Sequence, residues 1–309
     1  MSDRKYRLVT RADFDGIVSG TLLNELEMID SVIFVEPKDM QDGKISVTGG
    51  DITTNLPFVE GVHLCFDHHL SETERVGVKE NRIIDPDAPS AARVVYRYFG
   101  GRVGLPDISE ELMDAVDQAD SAQYTREDIM APEGWTLLNF ILDPKTGLER
   151  LKHFKLPHDE LMKDMMTYCR HNPVDEILGL PDVMERVEVY KLHAESAELQ
   201  LRECSKTDGK ILLTDLRSQE TIYLVNRFLV YALYPECNIS ITLNAGPEQG
   251  VTTISVGKSI LDRSSNTVIG PLMLKYGGGG HAAAGTCRVP DGDVDRVLAE
   301  IIEQINADG

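Results

Sequence analysis

The sequence predicts an α/β protein with an open, mainly parallel sheet in an N-terminal domain, a helical connector and a smaller α/β C-terminal domain with a mixed sheet. Three observations carry that expectation. The first part of the chain alternates short apolar strands with helix-like stretches, the signature of a parallel sheet covered by helices. The middle turns helical from about Pro106 to Cys204. Strands then resume, and the chain ends on an amphipathic helix.

In order, strands are expected at Tyr6 to Thr10, Val32 to Val35, Ile45 to Val47, His63 to Phe66 and Arg82 to Ile84. Ile17 to Ile29 shows apolar residues at helical spacing. Pro89-Ser90 opens a further helix through Ala91, Ala92, Val94, Val95 and Tyr98, with Ser90 suited to the N-cap and Gly100-Gly101 ending it. In the helical region Pro132, Pro144, Pro157, Pro173 and Pro181 mark breaks, and Glu185 to Cys204 reads as one long helix. Ser205 to Gly209 is a linker or turn. Strands follow at Ile211 to Thr214, Ile239 to Leu243 and Thr252 to Val256, then a helix with apolar residues at Val294, Val297, Leu298, Ile301, Ile302 and Ile305. Domains are expected at 1–145, 146–207 and 208–309.

The 309 residues suit two domains, and 42% apolar with 27% charged residues is ordinary for a globular protein. No signal-peptide pattern opens the sequence, and the longest apolar run, Phe228 to Tyr234, is too short to span a bilayer. A soluble, cytoplasmic protein is expected. Five dispersed cysteines without a CxxC pair fit reduced thiols better than disulfides or a zinc site. The net charge of −20, without a Lys/Arg block, argues against a duplex DNA binder but not against an enzyme of nucleotides or short single-stranded oligonucleotides.

Four clusters carry chemistry. Asp13-Phe14-Asp15-Gly16 follows the first strand, Gly49-Gly50-Asp51 follows the strand around Ile45, and Asp67-His68-His69 follows the strand His63 to Phe66. Residues just past the strand ends of an open parallel sheet collect along one edge. Asp117-Gln118-Ala119-Asp120-Ser121 lies on a helical stretch that could approach it. Each cluster alone is more often a turn or polar surface. Together they would gather carboxylates that need cations to neutralise them. Oxygen ligands with one or two imidazoles suit Mn²⁺, Mg²⁺ or Co²⁺. Two ions bridged by one carboxylate would lie about 3.5–4 Å apart and could activate a water against a phosphoryl group.

A fifth signal is Gly277-Gly278-Gly279-Gly280-His281, between the apolar stretch Ile269 to Leu274 and small residues that read as a helix start. Glycines let backbone N–H groups approach an anion. His281 is placed to bind a phosphate, with Lys258 and Arg263 the nearest candidate cations.

The series Asp13-Phe14-Asp15-Gly16, Asp51, Asp67-His68-His69 and Asp120 resembles the four motifs of DHH phosphoesterases, and Gly277 to His281 resembles the GGGGH signature of their associated C-terminal domain. The similarity spans nearly the whole chain. Its size and layout resemble the branch of nanoRNA and pAp phosphatases, cyclic-dinucleotide phosphodiesterases and exopolyphosphatase-related proteins. The resemblance implies one ion held by Asp15, Asp51, His68 and Asp120, with Asp117 as an alternative to Asp120. A second ion would lean on Asp13 and the bridging Asp51. His69 would face the substrate phosphate, forming with Arg11 and Asp51 the candidate catalytic set. Gly277 to Gly280 and His281 would bind the rest of a small phosphorylated substrate. The cofactor implied is one or two divalent ions, Mn²⁺ first. No membrane partner is expected, and a homodimer is compatible.

One position departs from the family pattern. Where many members carry His two residues before the first Asp, this sequence has Arg11, and a guanidinium cannot ligate a cation. Arg11 could pair with Asp13 or bind a phosphoryl oxygen. The leading expectation is a metal-dependent phosphoesterase; the alternative is a nucleotide sensor with an impaired metal site.

Overall fold

A computed structural model describes residues 4–69, 77 and 79–309. They fall into two compact units, 1–123 with 132–189, and 124–131 with 190–309.

The first unit holds β1 (Tyr6–Thr10), α1 (Phe14–Glu25), β2 (Ile29–Phe34), α2 (Pro37–Gln41), β3 (Asp51–Thr54), β4 (Leu64–Asp67), β5 (Arg82–Ile84), α3 (Ala91–Tyr98), α4 (Gly101–Gly104) and α5 (Glu110–Asp120). The five strands form a sheet of order β2-β1-β3-β4-β5, and each neighbouring pair is parallel. Leu8, Val9, Ile52, Cys65 and Phe66 are buried in it, as in a parallel sheet covered on both faces. α1 packs against α3 and α5. After α6 (Arg126–Met130), which belongs to the second unit, come α7 (Gly134–Leu142), α8 (His158–Tyr168) and α9 (Val174–Leu178). At the α1–α8 contact, position 20 packs directly under the Met166 side chain. A Cβ there would meet Met166 Sδ at 2.4 Å.

The long helix α10 (Pro181–Cys204) crosses the division between the units at Val189 and Tyr190. The second unit then adds β6 (Ser205–Asp208), β7 (Ile211–Asp215), α11 (Leu229–Leu233), β8 (Ile239–Ala245), β9 (Val251–Lys258), α12 (Ile269–Leu274), β10 (Gly279–Gly280), β11 (Ala284–Pro290) and α13 (Val294–Asp308). Its mixed sheet has the order β10-β11-β9-β8-β7-β6, with β7 and β8 its parallel pair. The amphipathic helix α13 buries Val294, Val297, Ile301 and Ile305 against Ile239, Ile241, Ile254 and Val256. Among the described residues no helix is long and apolar enough to cross a membrane.

Three local expectations are corrected. Ile45 and Val47 form no strand; they pack as irregular chain beside Val9, Val35, Met40 and Leu56. The third strand is instead Asp51–Thr54, whose threonines hid it. Thr54 Oγ1 donates to Thr10 Oγ1 at 2.7 Å, so the polar letters are satisfied inside the sheet. Ser205 to Asp208 is the edge strand β6, and the turn is Gly209, at φ +58°, with Lys210. The small residues after His281 enter strand β11 and not a helix.

Candidate metal centre

The C-terminal ends of β1, β3 and β4 form one edge of the parallel sheet. Asp13 caps α1, its Oδ1 accepting from Gly16 N at 2.9 Å. Two residues on, inside the first turn, Asp15 is buried. Its two oxygens accept from Ala91 N and Ala92 N at 2.9 and 2.7 Å. These are two of the unpaired amides at the start of α3, a natural anion holder. Ser90 caps the same helix, accepting from Arg93 N.

His68 leaves β4 toward the same place. Its Nδ1 bonds to Ala88 O at 3.1 Å, which needs the proton on Nδ1 and leaves Nε2 as the lone pair of the neutral ring. Nε2 is buried without a hydrogen-bond partner, although Asp120 Oδ2, from the end of α5, lies 3.0 Å away. The carboxylate is near the ring nitrogen but off its N–H direction. Asp15, His68 and Asp120 each offer a ligand atom within 4.8 Å of the others.

The electrostatics are those of a site built for a cation. Burial, reinforced by Asp120, pushes the Asp15 carboxyl well above its ordinary value. Burial also pushes Asp13 up, with Arg11 only partly opposing it. For His68, burial alone would lower the pKa, but Asp120 and Asp15 outweigh it and raise the ring to about 9. Without an ion, the imidazole takes a proton as its counter-charge. Two carboxylates and one oriented imidazole nitrogen fit a divalent ion that accepts mixed oxygen and nitrogen ligands.

Asp51 does not join them. It begins β3 opposite Arg7 of β1, three residues before the strand's end and so about 10 Å from that edge. Its oxygens accept from Arg7 Nε and Thr48 N at 2.7 and 2.6 Å. Burial opposes ionisation there, but Arg7 and Thr48 win and hold the carboxyl below its ordinary value. Asp51 is a structural ion-pair partner, and the bridging role expected of it is corrected. Its misplacement followed from reading the strand at Ile45. With β3 at Asp51–Thr54, the residue at the strand's end is Asn55, which sequence reasoning missed; a strand read from the β-branched Ile52-Thr53-Thr54 would have found it.

Asp117 is likewise engaged elsewhere, accepting from Ser90 Oγ and Arg93 Nε, each at 2.7 Å. Of the two candidate ligands on α5, Asp120 is the one beside His68. Asp67 accepts through Oδ1 from His69 Nδ1 at 2.7 Å and His68 N at 2.9 Å, orienting both histidines. Its other oxygen, Oδ2, is buried without a partner. Arg11 pairs with Asp13, Nε to Oδ2 at 3.2 Å.

No family model and no curated protein matches the chain. Among solved structures, the pGpG-specific phosphodiesterase PggH from Vibrio cholerae matches with a TM-score of 0.88 and 52% identity, over 99% of this chain and 100% of that one. The chain belongs to the DHH phosphoesterase family. CDC45 from Entamoeba histolytica shares the fold at 8% identity, with a TM-score of 0.54 over 98% of this chain and 96% of its own. RecJ from Thermus thermophilus, in complex with Mn²⁺, does so at 13% identity and a TM-score of 0.50, over 98% of this chain and 52% of its own. This DHH protein is a metal-dependent phosphoesterase acting on small phosphorylated substrates.

In the second unit of this DHH phosphoesterase the glycine-rich segment is a tight hairpin entry. β10 pairs with β11 through Gly279 and Gly280, and His281 N donates to Ala284 O at 2.7 Å. A Cβ at Gly278 would meet Thr286 O at 2.0 Å, and one at Gly280 would meet Ala284 O at 2.2 Å, so the close strand contact requires glycine. His281 is exposed on this turn. Lys258 reaches it by its backbone, N donating to Ala283 O, while Nζ donates to Ser265 O at 3.0 Å. Arg263 lies in the following loop, Nε donating to Ile260 O at 3.2 Å. Any anion contact here comes from strand and turn amides, since no helix starts at this point.

Proposed function

We propose that this enzyme hydrolyses linear dinucleotides of the pGpG type to mononucleotides, using a divalent ion held by Asp15, His68 and Asp120. The substrate class is supported by one observation, the 52% identity to a pGpG-specific phosphodiesterase along the whole chain. The ion position is supported by the convergence of three ligand atoms with an oriented, unpartnered His68 Nε2. When bound, the ion supplies Lewis acidity toward a phosphoryl oxygen and a water. Mn²⁺ is favoured over Mg²⁺ because an imidazole nitrogen completes the set.

The chain's own residues do the rest. Asp67 fixes the His69 ring, which is proposed to face the substrate phosphate. Arg11, partly exposed beside Asp13, offers guanidinium N–H groups to a phosphoryl oxygen. Gly277 to Gly280, His281, Lys258 and Arg263 are proposed as a phosphate-binding surface of the second unit. A cytoplasmic setting agrees with cysteines that form no disulfide among the described residues. Family membership favours catalysis over the sensor alternative.

The test is a product-release screen with pGpG, pApA, pAp, a cyclic dinucleotide and polyphosphate, each with Mn²⁺ and with Mg²⁺. Fastest turnover is expected for pGpG with Mn²⁺. Turnover confined to polyphosphate or pAp would move the enzyme to another substrate class.

A further inference from the structure

Asn55 stands at the end of β3, at the same sheet edge as Asp13, Asp15 and His68. It is 2% exposed and adopts φ +53°, a left-handed conformation that asparagine tolerates better than most residues. Its Nδ2 lies 3.3 and 3.4 Å from the two oxygens of Asp13. Its Oδ1 therefore turns away from Asp13, and that buried oxygen has no hydrogen-bond partner. Thr54 pairs with Phe66, so Asn55 stands level with Asp67, whose Oδ2 is also buried and unpartnered.

Asp13 is thus faced by positive groups from three directions: the N–H donors Gly16 N and Asn55 Nδ2, and the Arg11 guanidinium in an ion pair. One of these carries a permanent positive charge. A second divalent ion at Asp13 would have to displace N–H donors and sit against that guanidinium. A carboxylate at position 55 would have offered such an ion an anionic bridge. The carboxamide offers a donor toward Asp13 and only a neutral oxygen on its other side.

We propose that this DHH phosphoesterase works with a single divalent ion, at Asp15, His68 and Asp120, and that Arg11 supplies the second positive charge on the phosphoryl group. Asn55 is the positioning residue: it holds Asp13 against Arg11 and withholds the anionic oxygen a second ion needs. The unpartnered Asn55 Oδ1 and Asp67 Oδ2 then serve as acceptors for water hydrogens at the same edge. The inference rests on the ion position proposed above.

Ion counting separates the two. The full-length protein is stripped with chelator and titrated with Mn²⁺ alone, with stoichiometry from calorimetry and elemental analysis and coupling from low-temperature electron paramagnetic resonance. One ion per chain with an uncoupled spectrum is expected, falling to none in Asp120→Asn. The double variant Arg11→His/Asn55→Asp is expected to take two ions and give an exchange-coupled spectrum. Two tightly bound ions in the native protein overturn the inference, and so does a folded double variant that still takes one. If Asp120→Asn keeps its ion, the ion position itself is wrong. Should the double variant fail to fold, the native stoichiometry decides alone.

Discussion

His68 Nε2 and Asp120 Oδ2 lie 3.0 Å apart, yet the ring nitrogen has no directed hydrogen bond. Two ligands held close by an ion approach each other in this way, because both lone pairs aim at a third point. Replacing Asp120 with Ala should weaken Mn²⁺ binding by more than about 100-fold, beyond what loss of an outer partner causes. Calorimetric titration of the stripped protein measures it. Unchanged affinity would place the ion elsewhere.

The same pair sets a pH dependence. In the ion-free protein His68 titrates at about 9, above its ordinary 6.5. A folded pKa above the unfolded one means the stabilisation is complete below about pH 6.5 and is lost as the pH rises through about 9. The ion-free protein should therefore lose melting temperature between those values. Mn²⁺ must displace the His68 proton, so its affinity should climb over the same range with proton release. Titration in buffers of different ionisation enthalpy counts that proton. No release at pH 7 would mean His68 is not a ligand.

Asp51 should behave as a structural residue. Asp51→Asn keeps the shape but loses the charge that meets Arg7 and Thr48 N. Because the folded pKa is lowered, its stabilisation is present above the ordinary 3.8 and is lost as the pH falls through the folded value. At neutral pH the substitution should cost about 1–3 kcal/mol in denaturant unfolding. Mn²⁺ stoichiometry and affinity should stay as in the native protein. A lost ion would restore Asp51 to the metal centre.

The fold was legible where apolar runs and punctuation agreed. Tyr6 to Thr10, the cap at Ser90 and the face of α13 from Val294 to Ile305 were all read from the sequence. So were the residues that converge: Asp15, His68 and Asp120. Legibility failed where burial wore polar letters. Thr53 and Thr54 are buried strand residues. The alternating Ile45 and Val47 looked more like a strand than they did. That one shift of register sent attention to Asp51, at the wrong end of β3, and passed over Asn55 at the right one. The glycine run was misread for a related reason. Glycine followed by alanines suits a helix start by propensity, but the Gly278 and Gly280 contacts to β11 are tertiary facts that no local pattern encodes.

His281 sits on the hairpin turn of the second unit, with its backbone closing the turn on Ala284. That backbone role does not depend on the imidazole. His281→Ala should therefore leave the melting temperature and Mn²⁺ content unchanged. If the ring donates to a substrate phosphate, its loss should raise KM for pGpG by about tenfold or more, the weight of one hydrogen bond to a charged group. Steady-state kinetics with fixed Mn²⁺ read this out. A fall in metal content instead would put His281 among the ligands.

Arg11 faces the sharpest test, because its position is where this chain departs from the family pattern. It contacts Asp13 Oδ2 at 3.2 Å and keeps over a third of its side chain exposed. Its guanidinium therefore has N–H groups left for solvent or substrate. Charge stabilisation that grows as the phosphoryl group reacts appears in kcat more than in KM. Arg11→Ala should lower kcat for pGpG about 100-fold with Mn²⁺ content unchanged. Arg11→Lys should recover only part of the loss, since an ammonium keeps the charge but not the planar fork. An ordinary surface arginine predicts no change in either constant for both variants, and that result would remove Arg11 from the chemistry.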